Sequence, residues 1–335
     1  MTGFLGRRLG AALVQLLMIT FLTWALFYLV ASFTGANPAE RIAGKAASRA
    51  QIERVAHALG TDRPLYEQYG RFVWGLAHGD FGYSYEQRRP VSDIIFPAAR
   101  VTASLVFGAM FLWLLLGIPI GIIGALKPRG ALDRTLMVLI LLGLATPVFW
   151  VAPMLSYFLG FQPTQGKLFG FSLPGPVTIF PIDGYVDLTA SPAGWAYHLF
   201  LPWLAFALGF AAIYARMTRG LVIDHLQEDY VRTAYSKGAS QARVLRAHIG
   251  RNIAPLIVTM IGLDIGVALG GALFVETVFG LPGLGYVGLS SIQTLDYPLT
   301  VGTITFAAMA AVIANAFADV AHGTLDPRIR EGGGP

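Results

Sequence analysis

Six long apolar stretches, separated by polar segments, dominate the pattern of hydrophobic and polar positions along the chain. A helix needs about 20 apolar residues to cross the ~30 Å hydrocarbon layer of a membrane, and there it satisfies its own backbone hydrogen bonds. The six predicted spans cover residues 9–31, 101–126, 135–159, 197–221, 253–275 and 300–320. The pattern therefore predicts an all-α membrane protein with six transmembrane helices.

The composition agrees with a membrane protein. Of 335 residues, 55% are hydrophobic and 13% are charged, whereas about 25% are charged in an ordinary soluble domain. The net charge of +5 is interpreted as a signal of topology, because no basic tail or aromatic platform indicates nucleic-acid binding. The absence of cysteine excludes disulfides, thiolate metal sites and thiol catalysis.

Basic residues in the short links between spans predict the orientation, since lysine and arginine favour the cytoplasmic side. They precede the first span, and they flank or fill two of the links: Arg7, Arg8, Lys127, Arg129, Arg134, Arg216, Arg219, Arg232, Lys237, Arg243, Arg246 and Arg251. The link between the third and fourth spans carries only Lys167, and the link between the fifth and sixth carries no lysine or arginine. Both termini are therefore predicted to be cytoplasmic. The first link, about residues 32–100, must then lie outside for the spans to alternate, although it has many basic residues. Its length exceeds the ~60 residues over which the rule operates.

The first apolar stretch has two interpretations. Arg7 and Arg8 followed by an apolar run, with small residues at Ala31 and Ser32, resemble a cleaved signal peptide. The uncharged run over residues 9–39 is longer than the core of a signal peptide. An anchored span is therefore favoured.

Residues 32–97 are predicted to form a polar external subdomain. Ser48 can cap a short amphipathic helix that runs to Leu59, and Pro64 can start a second helix. A turn is predicted over Gly79-Asp-Phe-Gly-Tyr-Ser84. Two roles stay open for this subdomain: a docking surface for an external partner, or a layer that caps the bundle.

Small residues four apart predict close helix packing in lipid. Gly262, Gly266 and Gly270 have this spacing in the fifth span, which is predicted to be central and tightly packed. Gly117 and Gly121 repeat the spacing in the second span.

Acidic residues within the spans are the candidates for intramembrane function, because a buried charge usually faces a cavity or a partner. Asp264 lies deepest in its span, and Glu276 and Asp296 lie near the outer ends. Asp264 has two interpretations: a place in the translocation path or at an interface with a second subunit, or a structural acid hydrogen-bonded within the bundle.

Motifs for enzymatic chemistry are absent from the sequence. It contains no glycine-rich phosphate loop ending in Gly-Lys-Ser or Gly-Lys-Thr, no His-Glu-x-x-His and no Gly-x-Ser-x-Gly. The six histidines form no close pair with the spacing of metal ligands. We expect neither a catalytic site nor a metal or cofactor in this chain.

The polar segment after the fourth span predicts a helix, a sharp turn and a second helix. Val231, Ala234 and Tyr235 form an apolar stripe, and Gly238 can end the helix in a left-handed cap. Ser240 can cap the second helix, on which Val244 and His248, and Leu245 and Ile249, fall four apart. Shape alone leaves two interpretations: a passive hairpin, or a helix that docks into a groove on a partner.

This segment, Asp229-Tyr-Val-Arg-Thr-Ala followed by Lys237-Gly238, His248 and Arg251-Asn252, resembles the EAA-type loop of permease subunits of ATP-binding-cassette importers, in the dipeptide and oligopeptide branch. The resemblance covers nearly the whole chain. Further stretches that carry it are Arg7-Arg8-Leu, Leu59-Gly-x-Asp-Arg-Pro64-Leu, Gly79-Asp-Phe-Gly82, Gly117-Ile-Pro-Ile-Gly121, Leu132-Asp-Arg134, Thr146-Pro-Val-Phe-Trp150, Glu276-Thr-Val-Phe-Gly-Leu-Pro-Gly-Leu-Gly285, Asp296-Tyr-Pro298 and Asp326-Pro-Arg-Ile-Arg330.

The resemblance implies a type I importer in a bacterial or archaeal cell membrane. Such an importer has two permease subunits, two ATPase subunits that bind ATP and Mg²⁺, and an external substrate-binding protein. Within it, the loop over residues 223–252 is expected to dock on an ATPase and to carry its closure into the spans. The residues expected in this coupling role are Asp229, Tyr230, Val231, Arg232, Thr233, Ala234, Tyr235, Lys237 and Gly238.

Three departures from the family pattern limit what can be transferred. Arg232-Thr-Ala stands where the general motif has Glu-Ala-Ala, so no acidic anchor is assigned there. Pro255 lies one residue nearer to Arg251 than in the family, and Asp264 stands where glutamine is familiar.

The predicted organisation has four parts: a cytoplasmic N-terminus with the first span (1–31), the external subdomain (32–97), the permease domain (98–323) and a cytoplasmic tail (324–335). Peptides are the expected cargo, with nickel or another small solute as the alternative. The rival from another class, a stand-alone secondary transporter, predicts internal repeats with broken helices. No clear repeat occurs in the sequence.

Overall fold

Eleven helices make up most of the part of the chain that this computed structural model describes, namely residues 2–34, 39–40, 47–59, 62–162, 167–168, 171–172, 177–178 and 180–325. The helices are α1 (Thr2–Thr34), α2 (Arg49–Leu59), α3 (Leu65–Ala77), α4 (Ser92–Leu126), α5 (Ala131–Ala145), α6 (Val148–Leu159), α7 (Pro192–Leu226), α8 (Asp229–Ser236), α9 (Gln241–Val278, with a π-helical turn over Val244–Ile249), α10 (Leu284–Gln293) and α11 (Tyr297–Leu325). The predicted all-α architecture is confirmed. The tail from residue 326 onward lies outside the described residues.

Four described helices are long and apolar enough to cross a membrane: α4, α7, α9 and the part of α11 up to Phe317. They match the second, fourth, fifth and sixth predicted spans. A fifth span is possible if α5 and α6 count as one, and the apolar part of α1 with described side chains covers only Gly10–Leu26. Six full spans are thus not confirmed.

The prediction of one continuous third span, over residues 135–159, was wrong. Helices α5 and α6 bend by 106° at Thr146 and Pro147. Thr146 has an extended backbone, with φ −96° and ψ 113°, because a proline disfavours helical geometry in the residue before it. The segment is a broken span or a re-entrant loop.

Among the described residues after α6 there are four two-residue strands. β1 (Phe161–Gln162) pairs with β4 (Val177–Thr178), and β2 (Lys167–Leu168) pairs with β3 (Phe171–Ser172); both pairs are antiparallel. Strands this short leave the helical architecture unchanged.

The chain divides into two compact units. The first comprises residues 1–100 and 283–316, and the second comprises residues 101–282 and 317–335. The predicted external subdomain, 32–97, falls within the first unit. The boundaries proposed for the four sequence segments stay predictions.

The first unit contains the two short helices expected from the sequence. The Ser48 backbone N–H donates to the Gln51 side chain at 2.8 Å at the start of α2, and Pro64 precedes α3. Helix α3 packs on α1 through Tyr69, whose hydroxyl donates to the Leu17 carbonyl at 3.1 Å. The Tyr69 ring also lies edge-on to Phe21, with 5.4 Å between centroids.

Close helix packing in the second unit occurs where the glycines of α4 meet α7. A Cβ on Gly117 would lie 2.8 Å from the Ala211 carbonyl oxygen, and one on Gly121 would lie 2.6 Å from the Ala215 carbonyl oxygen. Only glycine permits this approach of two backbones. The spacing prediction is therefore confirmed for the second span.

The glycine pattern of the fifth span has a mixed outcome. Gly262 is buried, Gly266 is half-buried and Gly270 is exposed, and a Cβ on Gly270 would meet nothing within 4 Å. A Cβ on the neighbouring Gly271 would instead lie 3.4 Å from the Phe206 ring. The prediction of tight packing is therefore wrong for Gly270 within this chain.

Candidate coupling segment and intramembrane carboxylates

Helix α8 is an eight-residue amphipathic helix. Val231 and Ala234 are buried, whereas the Tyr235 ring is 42% exposed. The predicted apolar stripe is confirmed at the first two positions and wrong at Tyr235. At about 100° per residue, Tyr235 lies about 100° from Ala234, at the edge of the buried face.

The opposite face of α8 is polar and exposed. Arg232 and Asp229 approach to 3.5 Å, but their side chains are 72% and 97% exposed, so the pair contributes little to stability. Thr233 and Lys237 also lie on the surface. This face is available for contact with another protein.

A hydrogen bond attaches the start of α8 to the end of α7. The Tyr230 hydroxyl and His225 Nδ1 share this bond at 3.0 Å. Val231 and Ala234 belong to the same apolar core as Val222 of α7. The segment is therefore fixed to α7 by packing and by a polar contact.

The turn after α8 is a Schellman motif built on glycine. Gly238 has φ +81°, and its N–H donates to the Tyr235 carbonyl at 2.9 Å. The Ala239 N–H donates to the Ala234 carbonyl at 3.1 Å. These two bonds satisfy the last carbonyls of the helix, so the predicted left-handed cap is confirmed.

The second helix of the segment is the start of α9 itself. Ser240 caps it by accepting from the Arg243 N–H at 3.4 Å, as the sequence predicts. The predicted pairing of residues four apart is wrong for Val244 and His248, because the turn is π-helical: Val244 and Ile249, five positions apart, are buried, and His248 is exposed. No break separates this turn from the spanning helix, since Pro255 lies inside the helix. The segment thus joins α7 directly to α9.

Asp264 is hydrogen-bonded within the bundle. The Tyr214 hydroxyl, on α7, donates to Asp264 Oδ2 at 2.7 Å. Tyr214 is fully buried, and Asp264 is half-buried. The geometry is that of a structural acid that keeps part of its side chain exposed, so both interpretations of Asp264 stay open.

Glu276 is a second buried acid on α9. Its side chain is 0% exposed and accepts from the Thr102 hydroxyl at 2.6 Å. The two residues are 174 positions apart, and no local pattern in the sequence indicates that they meet. Asp264 and Glu276 lie twelve residues apart along one helix, so they do not form a paired-carboxylate site.

A buried ion pair between Asp133 and Arg219 was not anticipated from the sequence. Arg219 donates to both carboxylate oxygens, at 2.6 and 2.8 Å, and the Arg129 N–H donates to the same carboxylate at 2.8 Å. Gly124 lies beside the pair, since a Cβ there would be 3.4 Å from both partners. Arginine within an apolar span was the signal available, because such a charge needs a partner.

Comparisons with known proteins agree with this architecture. Residues 117–331 match the family described as the inner membrane component of binding-protein-dependent transport systems. Residues 1–106 match the family model for the N-terminal part of such components.

Two relatives cover almost the same length. The dipeptide transport system permease protein DppB of Escherichia coli is 33% identical over 348 residues, covering 98% of this chain and 99% of its own. A putative peptide transport system permease protein of Brucella abortus is 35% identical over 330 residues, with the same coverage of both chains.

A solved chain of the methionine ABC transporter MetNI, in an inward-facing conformation, has a TM-score of 0.52 and 14% identity, covering 70% of this chain and 96% of that one. At this identity, the likeness shows the fold alone. Together with the apolar helices, the family match over more than half of the chain identifies a multi-pass membrane permease subunit of an ABC importer, which works with an ATPase and a substrate-binding protein. The chain belongs to the inner membrane components of binding-protein-dependent transport systems.

Proposed function

We propose that this chain is a peptide permease subunit that forms half of a translocation path together with a second, related permease. Two ATPase subunits bind ATP and Mg²⁺ on the cytoplasmic side, and a substrate-binding protein delivers the peptide from outside. The names of the full-length relatives in Escherichia coli and Brucella abortus support peptides as cargo. The distribution of basic residues supports cytoplasmic termini.

The observation that carries the coupling role is the way in which α8 is held. Its apolar side is buried against the second unit's core, and its polar side is exposed. Two residues connect it to α7, and four connect it to α9. A displacement of the exposed face by an ATPase would therefore move α7 and α9 together. Asp229, Arg232 and Lys237 are the polar side chains proposed to contact the ATPase, while the buried Val231 and Ala234 hold the helix on the core of the second unit.

The residues of α9 are proposed to line the path or the contact with the second permease. Asp264 and Gly270 both retain exposure within this chain, which fits a surface that meets either substrate or subunit. Gly262, Gly266 and Glu276 lie on the same helix. Gly262 and Glu276 are buried, so they are proposed to support the exposed positions from behind.

Replacing Gly238 by valine tests the coupling segment. A side chain at φ +81° strains the turn, and a β-branched residue tolerates this conformation worst. We expect Gly238→Val to lower peptide-stimulated ATP hydrolysis and peptide uptake by about ten-fold, which corresponds to ~1.4 kcal/mol. ATPase binding and stimulated hydrolysis are measured on the purified complex.

Gly238→Asn is the matched control, because asparagine adopts left-handed geometry more readily and a Cβ here would meet nothing within 4 Å. Near-normal coupling is expected for this variant. If Gly238→Val leaves both ATPase binding and stimulated hydrolysis unchanged, the segment does not couple. Equal losses in both variants would show that side-chain bulk matters rather than backbone geometry.

A further inference from the structure

Two motifs without an assigned role meet in the first unit. The hydroxyl of Ser84, the last residue of the predicted turn, donates a hydrogen bond to the Asp296 carboxylate. Asp296 is the first residue of the Asp296-Tyr-Pro298 motif. Ser84 and Asp296 are 212 residues apart. Asp296 is 1% exposed and Ser84 is fully buried. A Cβ on Gly82 would lie 3.7 Å from Pro298, so the motifs also contact each other through their neighbours.

Backbone donors complete the surroundings of the Asp296 carboxylate. The N–H groups of Tyr85 and Glu86 each donate to it at 3.2 Å. The N–H of Leu299, in the first turn of α11, lies at 3.5 Å. A buried carboxylate is tolerated only when its oxygens are satisfied in this way. The carboxylate therefore fixes the backbone that follows Ser84.

The fixed backbone belongs to a closed loop over residues 84–89, which we call the arginine loop. Its ends are joined by the Ser84 N–H, which donates to the Arg89 carbonyl at 3.0 Å. The Gln87 N–H donates to Ser84 Oγ at 3.0 Å, and the Arg88 N–H donates to the Ser84 carbonyl at 3.1 Å. Six residues are thus held in one conformation by internal bonds and by Asp296.

Arg88 occupies a strained position in this loop, with φ +51°. Left-handed geometry is unfavourable for a non-glycine residue and persists where the surroundings enforce it. The Tyr83 hydroxyl contributes by donating to the Arg88 carbonyl. Burial, followed by the charge of Asp296, raises the pKa of Tyr85, a residue of the same loop, to about 12.

The side chains at the tip of the arginine loop point into solvent. Glu86, Gln87, Arg88 and Arg89 are all exposed. The Arg89 guanidinium is oriented by the Gln87 amide oxygen, at 2.6 and 3.1 Å. The Arg88 guanidinium has no hydrogen-bond or ion-pair partner in the described part of the chain. Two arginines are therefore displayed on a pre-ordered backbone.

We propose that the arginine loop is a docking surface for carboxylates on the external substrate-binding protein. The proposal rests on the proposed function and on the predicted external position of residues 32–97. The planar guanidinium pairs with carboxylates through two parallel hydrogen bonds, and a pre-ordered loop reduces the entropy lost on binding a folded partner. Binding to a fluid lipid surface would benefit less from this pre-ordering, because mobile headgroups can adapt to many loop conformations.

A charge-reversal experiment tests this surface. The complete transporter, in nanodiscs of zwitterionic lipid, is titrated with its purified substrate-binding protein loaded with peptide. Arg88→Glu/Arg89→Glu is expected to raise the Kd about ten-fold or more at low salt and to flatten its salt dependence, because exposed charge pairs are screened by salt. Arg54→Glu, an exposed arginine on α2, is the matched control and is expected to bind normally.

A second variant tests the support of the loop while keeping both arginines. Ser84→Ala removes the hydroxyl that joins the loop to Asp296, and it is expected to raise the Kd by about three-fold through lost pre-organisation. An unchanged Kd would contradict the role of Asp296 in ordering the loop.

The remaining outcomes separate this proposal from the proposed function. If the wild-type transporter binds the substrate-binding protein but charge reversal leaves the Kd unchanged, or Arg54→Glu weakens binding equally, the assignment of this loop is wrong. A loss seen only in discs containing phosphatidylglycerol would assign the arginines to anionic lipid and overturn the proposal. Failure of the wild-type transporter to bind any such protein would instead contradict the proposed function.

Discussion

Replacing Gly121 by alanine is expected to destabilise the protein by about 1–3 kcal/mol, the usual cost of overpacking a well-packed site. The new Cβ would lie 2.6 Å from the Ala215 carbonyl oxygen and 2.8 Å from Thr218 Cβ. Neither atom is the end of a flexible side chain, so helices α4 and α7 must separate. The measurement is the temperature at which half of the detergent-solubilised protein loses its monodisperse elution profile.

Gly220→Ala is the control for this prediction. Gly220 lies within α7, and a Cβ there would meet nothing within 4 Å. Alanine favours the helix over glycine by up to about 1 kcal/mol, so this variant should be as stable as the wild type or slightly more so. Equal losses for both alanines would contradict the inferred backbone contact.

Breaking the ion pair between Asp133 and Arg219 is expected to have an effect of similar size. Arg219→Met leaves Asp133, whose side chain is 6% exposed, without its bidentate partner. The loss should lie somewhat below the ~3–5 kcal/mol typical of a broken buried pair, since Arg219 itself is 22% exposed. Thermal stability in detergent measures the effect.

The double variant Asp133→Leu/Arg219→Met separates an unpaired charge from lost packing. Because apolar residues often replace a buried ion pair at little cost, it should recover most of the stability lost in Arg219→Met. A double variant as unstable as the single one would indicate that the shape of the pair matters more than its charges. Arg219 lies ten residues before α8, so the single variant should also weaken coupling in the surviving protein.

Local elements of the fold were predictable from the sequence because their signals are local. Ser48 and Pro64 mark the starts of α2 and α3, and Gly238 supplies the only residue type that enters the left-handed turn after α8 without strain. The break at Pro147 also had a local signal, the proline itself. It was missed because the apolar pattern continues across it.

Contacts between distant residues were not predictable in this way. Thr102 and Glu276 are 174 residues apart, and Asp133 and Arg219 are 86 residues apart. A single sequence shows that such an acid needs a partner but does not show which residue supplies it. The sequence likewise showed the turn that ends at Ser84 and the Asp296-Tyr-Pro298 motif, but it did not show that the two are hydrogen-bonded to each other.

Details of the candidate coupling segment depended on geometry that periodicity does not contain. The π-helical turn changes the buried spacing from four to five residues at Val244 and Ile249. The buried face of the short α8 is narrow: it includes Val231 and Ala234, and Tyr235 at its edge is exposed. Both features alter which side chains of the segment are exposed.

The central claim is that this permease moves peptide only when an ATPase acts on it. The most direct test is the uptake of a radiolabelled dipeptide into proteoliposomes containing the complete transporter, with the binding protein on the outer side and ATP on the inner side. The account predicts uptake that requires ATP and the ATPase subunits, that is competed by unlabelled dipeptide, and that is unaffected by nickel. Uptake by the permease alone, driven by an ion gradient without ATP, would contradict it.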